Sequence, residues 1–167
     1  MTKLSENVAT SLATTPDIEK LMERCQRGDL SGHYYVTLLG LRTFDTVSLL
    51  ARLTKGLSYS ALERFARNAA LPRDALCELL QIPPRTLARR KEEGRLNADE
   101  SDRLLRAARI LASSIILFEG DAAAAQQWLT SPQLALGNTT PLTASTTELG
   151  VREVERLIGR LEHGIPS

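Results

Sequence analysis

The sequence predicts an all-α protein with at most one short strand. From Phe44 to Leu161 apolar residues recur every three or four positions, the period of helices with one buried face. Pro and Gly fall between these stretches, at Gly56, Pro72, Pro84, Gly94 and Gly120, where helices stop and restart. Strand-forming residues cluster at one place, His33 to Gly40.

Residues 1 to about 16 are polar, Thr/Ser-rich and aperiodic, as in an irregular arm. Asp17 to Arg27 then places Ile18, Leu21, Met22 and Cys25 at helical spacing and ends at Gly28. His33 to Gly40 reads as one strand, or as an extended arm packed on a partner. Phe44, Val47, Leu50 and Leu53 define the inward face of the next helix, which Gly56 closes. Ser58 precedes Tyr59 to Ala69, with Leu62, Phe65 and Ala66 inward. Pro72 and Pro84 suit first helical positions, giving helices from Pro72 to Leu80 and from Pro84 to Glu93. Asn97 or Asp99 opens a long helix through Leu104, Leu105, Ala108, Leu111, Ile115 and Phe118. Ala122 to Leu129 carries the single tryptophan, Trp128, and residues 130–143 form a Pro/Gly/Asn loop. Thr147 to Leu161 is the last helix, with Val151, Val154, Leu157, Ile158 and Leu161 on one stripe. The expected division is an arm at residues 1–40, partly disordered, a helical domain at 41–110 and a second helical domain with a tail at 111–167.

The centre of the chain carries a specific chemistry. Two helices crossing at a tight turn need a small residue for close approach, a left-handed residue at the turn and apolar plugs on either side. Cys77, Gln81, Ile82 and Leu87 stand at those places, with Leu76 facing the core. Gln81 replaces the glycine that the turn prefers. Pro83 stands where Ser or Thr would cap the second helix. With Leu87 inward, Arg85, Thr86, Arg89 and Arg90 are expected to project outward as readers of base edges, and Lys91 and Arg95 to meet phosphates. A helix-turn-helix normally needs two half-sites for useful affinity, so a homodimer on operator DNA is expected.

Charge adds a second theme. Net charge is +1, but Leu57 to Ile110 holds eleven Lys/Arg against eight Asp/Glu, whereas Leu111 to Ser167 holds three against six. A basic middle followed by an acidic end points to two different partners. Cys25 and Cys77 have no nearby Cys/His ligand set, which indicates a reducing cytoplasm. The apolar run Ile110 to Phe118 is about half of the ~20 residues that span a bilayer, so no membrane partner is expected. His33 and His163 lack metal-ligand neighbours, and neither a nucleophile elbow nor a phosphate-binding glycine loop occurs. No enzyme, metal or cofactor is expected. Glu148, Glu153, Glu155 and Glu162 read as the solvated face of the last helix.

Two ordered blocks together resemble a known family. The first runs through Arg85, Thr86, Leu87, Arg89, Arg90, Gly94, Arg95, Leu96, Glu100 to Leu104, Arg109 and Ile110. The second runs through Trp128, Leu129, Pro132, Ala135 to Gly137, Pro141 and Leu142, then Glu148, Gly150, Val154, Leu157, Leu161, His163 and Gly164. Over residues 57–165 they resemble the Xre/MbcA/ParS-type antitoxins. The resemblance implies an Xre-like helix-turn-helix domain followed by a helical domain that neutralises a RES-domain toxin. Such toxins degrade NAD, and the antitoxin covers the active-site entrance, usually dimerises and represses its own operon. Carried onto this chain, Gly137, Asn138, Pro141, Arg152 and the tail Glu162, His163, Gly164, Ile165 and Ser167 become toxin-contact candidates. An acidic tail suits a cleft built for an anionic dinucleotide, because that cleft must be electropositive. A stand-alone helix-turn-helix regulator, or a partition-type DNA-binding protein whose acidic domain only dimerises, are the competing expectations.

Overall fold

The computed structural model describes residues 14–42 and 44–165. The irregular arm expected at the amino terminus lies outside the described residues up to position 13, as does Ser167. By position 15 the chain is ordered around a helix start: the Thr15 hydroxyl accepts the Ile18 amide at 3.3 Å and pairs with Asn68 of a distant helix.

Helix α1 (Pro16–Gln26) is followed by a 3₁₀ helix (Tyr34–Leu39), then α2 (Thr46–Lys55), α3 (Tyr59–Ala69), α4 (Arg73–Leu80) and α5 (Pro84–Glu93). The long α6 (Ala98–Leu117) leads to α7 (Ala122–Thr130), a 3₁₀ turn (Leu134–Leu136), α8 (Pro141–Ala144) and α9 (Glu148–Glu162). Among the described residues, extended pairing is limited to two isolated bridges, Ser58 with Arg95 and Gln133 with Thr139. The all-α expectation holds.

The strand expected at 33–40 is instead the 3₁₀ helix. Tyr35, Val36, Thr37, Leu38 and Leu39 are all buried, and among the described residues no strand lies alongside to pair with their backbone. Buried amides must find partners, and a tight helix supplies them internally. Val36 donates to the His33 carbonyl at 3.1 Å and Gly40 to Thr37 at 3.0 Å. Asn68 of α3 satisfies the Leu38 carbonyl at 2.8 Å, and His33 bridges Tyr35 (2.8 Å) and Thr46 (3.0 Å). The segment is a core element.

The inward face of α2 is also corrected. Val47 and Leu50 are 79% and 57% exposed, whereas Leu49 is 3% exposed and Leu53 packs on the core. Leucines at 49, 50 and 53 allow two faces, and packing on α6 selects the one containing Leu49 and Leu53.

Helix α6 organises the rest. Asn97 caps it reciprocally with Glu100: the Glu100 amide donates to Asn97 Oδ1 at 2.8 Å, and the Asn97 amide to Glu100 Oε2 at 2.9 Å. Leu104, Ala107, Ala108, Ile110, Leu111, Ala112 and Ile115 are buried, so α6 is covered on most sides. The expected division after Ile110 falls within this helix, and one hydrophobic cluster runs from Ile18 and Leu21 of α1 through α6 to Val151 and Val154 of α9. Glu155 and Glu148 are not simply solvated: Arg109 of α6 pairs with Glu155 at 2.7 Å and with Glu148 at 3.7 Å, binding α9 to α6.

Candidate functional site

The turn between α4 and α5 is built as its residues dictate. Gln81 adopts the left-handed conformation (φ 55°, ψ 43°), and its amide returns to the Glu78 carbonyl at 3.1 Å. Cys77 is buried against the crossing, and burial pushes its thiol pKa up, so it acts as a small core residue. Pro83 gives α5 no side-chain cap, and the Pro83 carbonyl takes the Thr86 and Leu87 amides at 2.9 and 3.1 Å. Arg103 of α6 reaches back to the Leu80 carbonyl at 3.2 Å, satisfying the free end of α4. Leu87 is 1% exposed and anchors α5 inward.

That anchor presents Arg85, Arg89 and Lys91 to solvent, with Thr86 half-buried beside them. Arg89 makes a long 3.6 Å contact with Glu93 one turn away, with both side chains about half exposed, so it remains free to rearrange. Arg95 is exposed, and its guanidinium donates to the Lys55 carbonyl at 3.2 Å. Sequence reasoning missed Arg73, exposed at the start of α4, which donates to the Pro84 carbonyl at the head of α5 at 3.1 Å. Its place at a helix start, ahead of an apolar stretch, was the available signal.

Arg90 differs from this set, and the expectation that it projects outward is corrected. Its side chain is 15% exposed and lies against Glu100, itself 2% exposed. Arg90 Nε donates to Glu100 at 2.8 and 3.1 Å, its Nη2 donates at 3.0 Å, and Nη1 holds Glu93 at 2.8 Å. The hydrogen bonds from Glu100, and then from Glu93, raise its pKa above the ordinary arginine range. Glu100 therefore does two things: it closes the cap of α6 and clamps α5 onto that cap. Arg90 sets the position of the helix from which its neighbours project.

The second candidate surface lies beyond α7. Trp128 packs on Phe118, ring centroids 6.3 Å apart, and the chain then turns through left-handed Gly137 (φ 64°) and Asn138 (φ 63°), both exposed. Pro141 is buried at the start of α8, so it shapes this turn from within. Arg152 is exposed and pairs with Glu148 at 3.4 Å. Glu162, His163, Gly164 and Ile165 are all exposed. Gly164 is left-handed (φ 64°), which lets the Ile165 amide fold back onto the Arg160 carbonyl at 2.9 Å. The beginning of the tail thus caps α9 instead of extending away from it. Two further residues stand out only in three dimensions: Leu134 and Leu149 are 80% and 72% exposed, and Leu149 lines a groove whose wall includes Ala135, the neighbour of Leu134.

Fold and surfaces together define a helix-turn-helix protein with a helical domain carried on the same central helix. Residues 48–109 match the Antitoxin Xre-like helix-turn-helix domain, and residues 113–164 match the Antitoxin Xre/MbcA/ParS C-terminal toxin-binding domain. The chain is 34% identical to an Antitoxin Xre of Yersinia enterocolitica over 76% of its own length and 86% of the relative's. It is 35% identical to an Antitoxin Xre of Photorhabdus laumondii over 71% and 81%, and 34% identical to one of Pseudomonas putida over 68% and 70%. The chain belongs to the Xre antitoxin family.

Proposed function

We propose that this antitoxin inhibits a RES-domain toxin that degrades NAD, by covering the toxin's active site, and represses its own operon through α4 and α5. The observation that carries this reading is the placement of both parts on α6. The α5 face bearing Arg85, Arg89 and Lys91 is clamped to one end of that helix, and the α8–α9 segment is salt-bridged farther along it. The protein acts by binding and not by catalysis, in the cytoplasm, as a homodimer whose two α5 helices meet two half-sites. Arg85, Thr86 and Arg89 face base edges; Lys91, Arg95 and Arg73 meet phosphates. The acidic end of the chain, from Glu162, screens a cleft that must be electropositive to hold a dinucleotide.

The test is co-expression with the product of an adjacent reading frame encoding a RES-type protein. Co-purification, loss of NAD hydrolysis in the complex, and its return on removing residues 162–167 are expected. Retarded operator DNA, with an affinity that falls steeply as salt rises, is expected of the same preparation. Failure to bind any such toxin while operator binding persists would leave the stand-alone regulator instead. Among the described residues no helix is long and apolar enough to cross a membrane.

A further inference from the structure

Most large apolar side chains of this protein are buried; Leu134 and Leu149 are not. Leu149 lines a groove of about 400 Å³ whose walls include Ala135, Leu136, Thr143, Ala144 and Gly150, and Leu134 is the chain neighbour of the wall residue Ala135. These walls are fixed by backbone contacts. The Gln133 amide donates to the Thr139 carbonyl at 3.1 Å, which closes the loop carrying Leu134. Gly150 brings the first turn of α9 so near α8 that a Cβ there would lie 1.9 Å from the Ala144 carbonyl oxygen. The groove is therefore held open with its apolar rim exposed to solvent.

We infer that this groove receives an apolar side chain of the toxin and is the anchoring point of the complex. The inference rests on the toxin-inhibition reading above. Three observations select that occupant. The groove lies wholly within residues 113–164, the stretch that matches a toxin-binding domain. Among the described residues no Lys or Arg lines it, and its one charged lining residue, Glu153, is already paired with Arg156 at 2.6 Å, so it offers a phosphate backbone no cation. It also adjoins exposed Gly137 and Asn138, left-handed residues that leave the rim low and open to a partner. Rigid, preformed apolar pockets of this kind concentrate binding energy at interfaces.

The position of the groove gives α9 a further role. Leu149 sits in its first turn and Glu162 ends it, thirteen residues on, about 20 Å along the axis at 1.5 Å per residue. The groove supplies affinity at one end while the tail screens the active site at the other. Affinity and inhibition are thereby divided between the two ends of one helix.

Leu134→Glu and Leu149→Glu test the division, with Leu149→Met as the conservative control, in the full chain with the purified RES toxin. Both leucines are exposed, so each variant keeps the wild-type circular dichroism and operator binding. The expected result is a rise in toxin Kd of roughly tenfold or more for each glutamate variant and little change for Leu149→Met. Removing residues 162–167 gives the opposite split: NAD hydrolysis returns while Kd changes less than for the groove variants. Glutamate variants that bind toxin like wild type overturn the inference and leave the proposed function intact. So does a glutamate variant that turns dimer into monomer in sedimentation, which would assign the groove to a second copy. A wild-type chain that binds no RES toxin removes the proposed function itself.

Discussion

Replacing Arg90 by alanine should lower the melting temperature of this protein far more than any other change on the outer side of α5. Glu100 is 2% exposed and accepts three hydrogen bonds from Arg90 and one from the Asn97 amide. Removing the guanidinium leaves a buried carboxylate with a single donor. Breaking a buried pair by deleting one partner costs about 3–5 kcal/mol. Arg90 keeps some contact with solvent and Glu93 lies nearby, so the lower end applies, about 3 kcal/mol. For a chain of this size that corresponds to a fall of roughly 6–12 °C. Arg89→Ala, which removes an exposed side chain, should stay within about 0.5 kcal/mol of wild type. Thermal and urea unfolding followed by circular dichroism measure both. Arg90→Ala combined with Glu100→Ala should be less harmful than the sum of the single changes, because the uncompensated charge is gone. Operator binding measured well below each melting temperature then separates the two arginines. Arg89→Ala weakens it by about 1–3 kcal/mol if a bidentate base contact is lost. An Arg90→Ala protein that melts like wild type but has lost operator binding would refute the clamp and restore Arg90 as a base reader.

Two other substitutions probe the backbone. Gln81→Gly relieves a left-handed residue of about 1–2 kcal/mol of steric cost and gives back about 0.4–1 kcal/mol through greater freedom of the unfolded chain. The net expectation is a stabilisation of roughly 0.5–1 kcal/mol, read as a higher urea midpoint at unchanged slope; a lower midpoint contradicts it. Gly150→Ala forces α8 and α9 apart, since the added methyl meets backbone and not a flexible side chain. Overpacking of this kind costs about 1–3 kcal/mol, and a midpoint equal to that of wild type would show that the two helices are not held as closely as described.

Much of this protein was legible from neighbours in the chain. Pro84 and Gly94 bracket α5, Asn97 or Asp99 marks the start of α6, and Cys77, Gln81, Ile82 and Leu87 mark the tight turn. Each depends on atoms within about one helical turn, so residue type and spacing suffice. The ordered blocks on either side of α6 were legible for the same reason, as strings of local requirements.

What tertiary structure decided was which side chains meet. The sequence places Arg90 among four cations, but only the path through Gly94 and the α6 cap brings it against Glu100, ten positions on. Leucines at 49, 50 and 53 leave the phase of α2 open until α6 covers one side. His33 to Gly40 has strand-forming residues, yet buried backbone without a neighbouring strand must satisfy itself, and it coils. Pro141 is fixed inside a turn, while Leu136 and Leu149, thirteen positions apart, line one groove. Helix ends are local hydrogen-bond problems and can be solved from the sequence; ion pairs, buried faces and grooves are set by how helices cross, which no single segment contains.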